Sequence, residues 1–358
     1  MGVVTSLADD LKNATPLREL LYTICPVLVA SNVALELGWI DDELKRVGAA
    51  ATYLRSLNDP AAWKWHYDHG SDRLIRDGGN SPAIWARADL QDTILLGLTQ
   101  AQPGGKVIVR ARDPIYRVAD LKGRRFGIYR SQQSGKIDHR RATTEHGILA
   151  VLALHGLWRD DIEWVDITEG DAHNEHPART PAGIWSQIEY EPEVRTIEAR
   201  ALLEGRIDAI YDYSIGTAEL LERTGKFKII DDLDLYPDWT LRIANAPRTI
   251  SVSRAFAEQN RDVIVAYLRA AVRAGRWINA NPAAAAAIFH RTTIYPDEAA
   301  IAKALRQYDL EANLSAQNLA GLAVEKDFLL QRGYIENDFD VRAWADASYL
   351  EEAVHSLR

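Results

Sequence analysis

The sequence predicts an α/β fold of two lobes, each with a mainly parallel sheet, on three observations. Short apolar runs alternate with helical stretches along the chain. The strand-like runs fall into two sets, the second beginning near residue 119. The length, 358 residues, is long for one domain and comfortable for two.

In order, ELLYTIC (19–25) reads as a strand and PVLVASNVALELGW (26–39) as a helix. GAAATYLRSL (48–57) is a second strand. Residues 81–90 read as a helix, with Ser81 as N-cap and Pro82 at the first helical position. TILLGLT (93–99) and KVIVRA (106–111) are further strands. The second set runs through a strand near 125–130, a helix over 143–157 and strands at 161–167 and 208–214. Residues 253–289 form a pair of helices broken at Asn281-Pro282, and the remainder is helical and mixed. The chain is therefore read as a discontinuous first lobe, 1–112 with 214–358, and an inserted second lobe, 113–213. A ligand belongs in the cleft between them, at the carboxyl ends of strands.

Composition narrows the function. Hydrophobic residues make up 47% and charged residues 26%, as in ordinary globular proteins. The net charge of −9 argues against a nucleic-acid partner. A single cysteine excludes an internal disulfide and a zinc site built on several thiolates. No run of 18 apolar residues suggests a membrane span, and the charged first twenty residues do not read as a secretory signal, so a cytoplasmic location is expected.

Two stretches carry chemistry. In LYTICPVLVAS (21–31) the lone Cys25 stands at a predicted strand-to-helix junction, with Pro26 suited to the first helical position. Cys25 would then be the N-cap, with helix N–H groups and the helix dipole favouring a thiolate. A free cysteine is more commonly a small buried hydrophobe. In WKWHYDHGSDRLIRDGG (63–79), Arg76 is followed by Asp77 and the pair Gly78-Gly79. Glycines let a backbone approach an anion, and an arginine fork binds two of its oxygens. His66 and His69 each offer a base for a cysteine, and either could face Cys25. Trp63, Trp65 and Tyr67 alternate, so an extended segment would place them on one face with His66 on the other. Tyr129 and Trp185 are weaker aromatic candidates from the second lobe. His173 and His176, beside Asp171, have the spacing of a metal pair but lack a fixed third ligand.

CPV at 25–27, the helix and Gly38 behind it, His66, the ten-residue step to Arg76 and then Gly78-Gly79 resemble the 2′-hydroxybiphenyl-2-sulfinate desulfinase family. DAIYDYSIGTAELLERTG (208–225) and AAVRAGRWINANPAAAAAIFH (270–290) extend the resemblance to nearly the full chain. It implies a two-lobed periplasmic-binding-protein-like fold with the ligand cleft between lobes. It implies Cys25, His66 and Arg76 as catalytic residues, with Arg76 and the Gly79 N–H holding sulfinate oxygens. Gly78 and the aromatics Trp63, Trp65 and Tyr67 would complete the substrate site. The activity implied is release of sulfite from a small aromatic sulfinate; that chemistry requires no metal or organic cofactor, and a monomer is expected. The polar loop SQQSGKIDHRR (131–141) departs from the family's longer apolar segment, so the chemistry transfers better than the aryl group.

The rival reading is a non-catalytic solute-binding protein for a sulfonate or similar small anion, which explains the lobes and the oxyanion cradle but not Cys25 and His66. A third, an enzyme of the same fold making a thiamin pyrimidine precursor, would carry a cysteine-rich motif absent here.

Overall fold

The computed structural model describes residues 18–99, 103–168, 177–186, 196–244 and 246–358. Two five-stranded sheets organise them. The first comprises β1 (Arg18–Ile24), β2 (Ala49–Tyr53), β3 (Leu74–Gly78), β4 (Thr93–Thr99) and β10 (Arg248–Ser253), in the order β2-β1-β3-β10-β4. The second comprises β5 (Lys106–Arg110), β6 (Arg125–Tyr129), β7 (Glu163–Ile167), β8 (Ala209–Asp212) and β9 (Phe227–Asp232), in the order β7-β6-β8-β5-β9. Each sheet holds one strand against the rest: β10 runs antiparallel to β3 and β4, and β5 antiparallel to β8 and β9. The α/β class and the two-lobed layout with mainly parallel sheets hold.

Strand membership differs from the sequence reading in two places. Lys106–Arg110, read with the first set, pairs in the second sheet, as does Phe227–Asp232. The chain therefore passes between sheets before residue 106 and after residue 232, not at the lobe bounds after residues 112 and 213. Local apolar periodicity marks a strand but not the sheet that will receive it. The second difference is β10, RTISVS, which the sequence reading left out. It fills the gap between β3 and β4, and every residue but the last is buried.

Helix boundaries follow backbone chemistry. The single helix expected over 26–39 is two, Ala30–Glu36 and Trp39–Arg46, divided at Gly38. Gly38 has φ +73°, a left-handed conformation that glycine adopts at little cost. The helix after β3 spans Asn80–Trp85 with Gly79 as its N-cap, so Ser81 lies inside it. The pair expected over 253–289 is three helices, Arg254–Gln259, Arg261–Ala280 and Pro282–Thr292, the last opened by Pro282 as expected.

Helix Arg261–Ala280 is the main buttress of the first lobe. Val263, Ile264, Tyr267, Leu268, Ala271 and Val272 are all buried in the core shared with β1 and the helices around residues 30–46 and 347–355. Burying one such side chain contributes about 1.5–3 kcal/mol. A separate apolar layer, with Ile84, Leu95, Leu322, Leu329 and Trp344, forms between helix Asn80–Trp85, β4 and helix Ala316–Gln331. The second sheet is covered on both faces: Phe126, Ile148 and Val151 share one cluster, and Ile167, Leu202 and Leu221 another. Among the described residues no helix is long and apolar enough to cross a membrane.

Candidate active site

β1 and β3 run parallel and in contact, with Thr23 opposite Arg76 and Ile24 opposite Asp77. The pairing continues one residue beyond β1, where the Cys25 N–H donates to the Asp77 carbonyl at 2.9 Å. Residues two apart on a strand share a face. Thr23, Cys25 and Arg76 thus emerge together at the carboxyl end of the sheet.

Cys25 is not a helix N-cap. The helix begins at Ala30 with Val29 at its cap, and Pro26 lies in the turn between. The turn is held instead by Asn32, whose side-chain amide donates to the carbonyls of Cys25 at 3.3 Å and Val27 at 3.1 Å. The positive group beside the sulfur is the Arg76 guanidinium, whose Nη2 donates to Cys25 Sγ at 3.2 Å. His66 Nε2 lies 3.4 Å from the same sulfur. Cys25 is only 8% exposed.

His66 is fixed from behind by Thr23, whose Oγ1 lies 2.7 Å from His66 Nδ1. Burial, followed by the positive charge of Arg76, holds the His66 pKa well below its ordinary value, so the imidazole is neutral at neutral pH. If Nδ1 carries the proton and donates it to Thr23, Nε2 is left as an acceptor facing the thiol. His69, the other histidine of the loop, faces Ser251 Oγ at 3.3 Å rather than Cys25. It is buried, with its pKa lowered to about 3 by burial and then by Arg76.

Arg76 is fully buried. Its Nε donates to the His66 carbonyl at 2.8 Å and its Nη1 to the Gly79 carbonyl at 2.6 Å. Three of the five N–H donors of a guanidinium are thereby engaged by neutral groups or sulfur. No carboxylate forms an ion pair with it among the described residues. Asp77, its neighbour in sequence, is also buried and bonds to Ser31. Burial raises the Asp77 pKa to about 6 despite that bond.

Gly78 has a steric role. A Cβ there would lie 2.2 Å from Cys25 Sγ, so only glycine lets the sulfur sit against β3. Gly79 caps the following helix and gives its carbonyl to Arg76.

The aromatic stretch is helical, not extended. Ala62–Lys64 is a tight helical turn and Trp65–Asp68 one turn of α-helix, so Trp63, Trp65 and Tyr67 do not share a face. The Trp63 indole N–H donates to the Leu57 carbonyl at 3.0 Å. Trp65 packs on the small core of Leu21, Leu54 and Leu74. Tyr67 alone turns to the second lobe: it lies 4.8 Å from the His66 ring, 5.7 Å from His139 and 4.9 Å from Lys136 Nζ. Tyr129 is buried beneath the Arg140 guanidinium at 3.9 Å, and Trp185 is partly buried in the short helix Ala182–Trp185. Asp171, His173 and His176 lie outside the described residues. Among the described residues no three His, Cys, Asp or Glu side chains cluster as metal ligands.

The site thus brings Cys25, His66, Arg76, Gly78 and Gly79 together, as read from sequence. It adds Thr23 and Asn32, which that reading missed. Thr23 was detectable as the residue two before Cys25 on the same strand face. Asn32 required knowledge of where the helix begins.

No protein-family model matches the chain. The 2′-hydroxybiphenyl-2-sulfinate desulfinase of Rhodococcus erythropolis is 25% identical over 362 residues, covering 95% of this chain and 94% of that protein. Among solved structures, a serine-for-cysteine mutant of the desulfinase DszB in complex with biphenyl-2-sulfinic acid superposes with a TM-score of 0.75 at 22% identity, covering 95% of this chain and 99% of that one. The alkanesulfonate-binding protein SsuA from Xanthomonas axonopodis pv. citri, bound to MOPS, gives 0.62 at 16% identity, covering 94% and 100%. The fold is therefore that of the two-lobed periplasmic binding proteins, and over nearly its full length the chain resembles the desulfinase family that CPV and the His66–Arg76 spacing indicated.

Proposed function

We propose that the chain is an aryl sulfinate desulfinase, hydrolysing the C–S bond of a 2′-hydroxybiphenyl-2-sulfinate-like substrate to release sulfite. The observation that carries this is Arg76: a fully buried guanidinium that meets no carboxylate among the described residues, beside a cysteine sulfur and a neutral histidine. A buried cation calls for a counter-charge, and a planar fork suits the two oxygens of a sulfinate. The full-length resemblance to a desulfinase supports the choice of anion.

In this reading the sulfinate sits on Arg76 and the Gly79 N–H, against Cys25, with Tyr67 beside the aryl group. Trp63 and Trp65, read as further lining, act as its support. The reaction balances with water alone: Ar–SO₂⁻ + H₂O gives ArH + HSO₃⁻. Two routes use the same residues. In the first, Cys25 attacks sulfur, the departing ring carbon takes the thiol's proton through His66, and water resolves the Cys–S–SO₂⁻ adduct to bisulfite. In the second, Cys25 protonates the ring carbon, SO₂ departs and is hydrated, and His66 helps return the proton. Trapping an adduct on Cys25 distinguishes them. The protein is proposed to act as a cytoplasmic monomer.

A binding protein for sulfonates is the second reading, favoured by the structural likeness to SsuA. Incubation with 2′-hydroxybiphenyl-2-sulfinate and benzenesulfinate separates the two. Repeated turnover to sulfite supports the desulfinase. A thermal shift with sulfinates and sulfonates alike, but no sulfite, supports the binder.

A further inference from the structure

A second cation stands at the same end of the sheet and has no role in the reaction just described. Arg55 lies in the helical turn Leu54–Ser56 that follows β2. β2 pairs in parallel with β1, Tyr53 beside Tyr22, so Arg55 leaves the sheet at the carboxyl end that carries Cys25. Its guanidinium stacks on the Trp63 ring, 4.4 Å from the centroid. Nη1 is buried and has no hydrogen-bond partner among the described residues. No carboxylate pairs with it among the described residues. Two other arginines near the second sheet behave differently: Arg110 of β5 pairs with Asp113 and Asp208, and Arg141, in the helix after β6, with Asp166.

Position relates Arg55 to the reacting groups. Its charge is close enough to act on His66, Tyr53 and Tyr67, and burial lowers its own pKa. Its carbonyl accepts the N–H of Ala178 at 3.1 Å, from the segment that connects strands of the second sheet. Arg55 therefore lies at the seam where the lobes meet, with Tyr67 reaching across the same seam towards Lys136 and His139. In the reading above, Arg76 neutralises the sulfinate. The Arg55 charge is then left over, and a buried donor without an acceptor is costly.

We propose that Arg55 is a specificity-determining residue that binds a carboxylate on the substrate, so that the site prefers dianionic, carboxylated aryl sulfinates. The bare edge of the guanidinium, buried Nη1 included, takes the carboxylate oxygens, while the Trp63 ring holds its face. This assignment rests on the desulfinase reading of Cys25, His66 and Arg76, and its test separates the two.

The test compares sulfite release from benzenesulfinate and from its 2-, 3- and 4-carboxy derivatives by the wild type, Arg55→Met and Arg55→Lys. Methionine keeps an unbranched stem over Trp63 without the charge. The wild type is expected to favour at least one carboxylated isomer by tenfold or more in kcat/KM. That ratio should fall at least tenfold in Arg55→Met and recover in part in Arg55→Lys. No preference in the wild type, or one that survives Arg55→Met, overturns the proposal while leaving the desulfinase reading intact. Calorimetry with the uncleavable benzenesulfonate and the three sulfobenzoates provides the second readout. Tighter binding of a sulfobenzoate, lost in Arg55→Met, sustains the Arg55 assignment even if no sulfinate is cleaved, in which case the desulfinase reading fails alone. Equal binding of all four sulfonates overturns the Arg55 assignment. Should Arg55→Met lose its thermal transition, Arg55→Gln replaces it.

Discussion

At the scale of single residues, one sulfur is held by three constraints of different kinds. Backbone pairing places Cys25 beside Asp77, the missing Cβ of Gly78 gives the sulfur its space, and Arg76 and His66 meet it from the sides. Of these, Cys25 and Arg76 were singled out by residue type and position, whereas the choice of His66 over His69 came only from the resemblance to the desulfinase family. The thiol's immediate surroundings were not legible in sequence. Pro26 suggested a helix start, but the Asn32 amide stabilises a non-helical turn over residues 25–27 and delays the helix to Ala30. Positive charge reaches the sulfur from a guanidinium rather than from a helix dipole. The state of His66 leads to a pH prediction. Its pKa is depressed by burial and by Arg76, so His66 stays neutral as pH falls through 6.5. A profile of kcat/KM for sulfite release between pH 5.5 and 8 should show no acid limb near the ordinary histidine value. An inflection centred there would mean that His66 is solvated and titrates normally.

At the scale of elements, β3 carries the site on one side chain and a buried acid on the next. Asp77 points away from Arg76, as alternation requires, and meets Ser31, whose hydroxyl also accepts from Tyr267 at 2.8 Å. The Asp77 pKa rises to about 6, chiefly from burial. A carboxyl whose folded pKa lies above its unfolded value of 3.8 favours folding when protonated, and that contribution is lost as pH rises from about 4 to about 6. Asp77→Asn mimics the protonated form. Its stability relative to wild type should therefore increase between pH 4.5 and 7.5, by roughly 2 kcal/mol. Chemical denaturation of both proteins at the two pH values measures this, and a pH-independent difference would show that Asp77 is not strained by its charge. The same scale explains what the sequence did not reveal. The alternation Trp63, Trp65, Tyr67 fits a strand by period, yet the segment coils, with Trp65 drawn onto Leu21, Leu54 and Leu74. Only tertiary contact distinguishes the two outcomes. β10 was missed because RTISVS has small and charged residues where a central strand normally shows an apolar run; its burial on both sides comes from insertion between β3 and β4.

At the scale of the molecule, the anion site proposed for this acidic protein of net charge −9 rests on two local cations that form no ion pair among the described residues, Arg76 in the sheet and Arg55 at its end. The lobes are joined across the seam by polar contacts, among them Arg332 with Glu145, Tyr334 with Glu145 at 2.7 Å, and His146 with Glu325 at 2.6 Å. The two-lobed α/β class was legible from alternation and length. The strands that belong to each sheet were not, because β5 pairs with β8 and β9, about a hundred or more positions away, and no local pattern records that choice. The central claim is that this arrangement breaks a C–S bond at Cys25. The measurement that tests it most directly is sulfite release by wild type, Cys25→Ser and Arg76→Lys, with binding of a sulfonate analogue followed in parallel. The account predicts turnover in the wild type. It predicts a loss of about 10³-fold or more in Cys25→Ser with analogue binding retained, and about 10²-fold in Arg76→Lys with weakened binding. Sulfite release by Cys25→Ser at the wild-type rate would contradict the account.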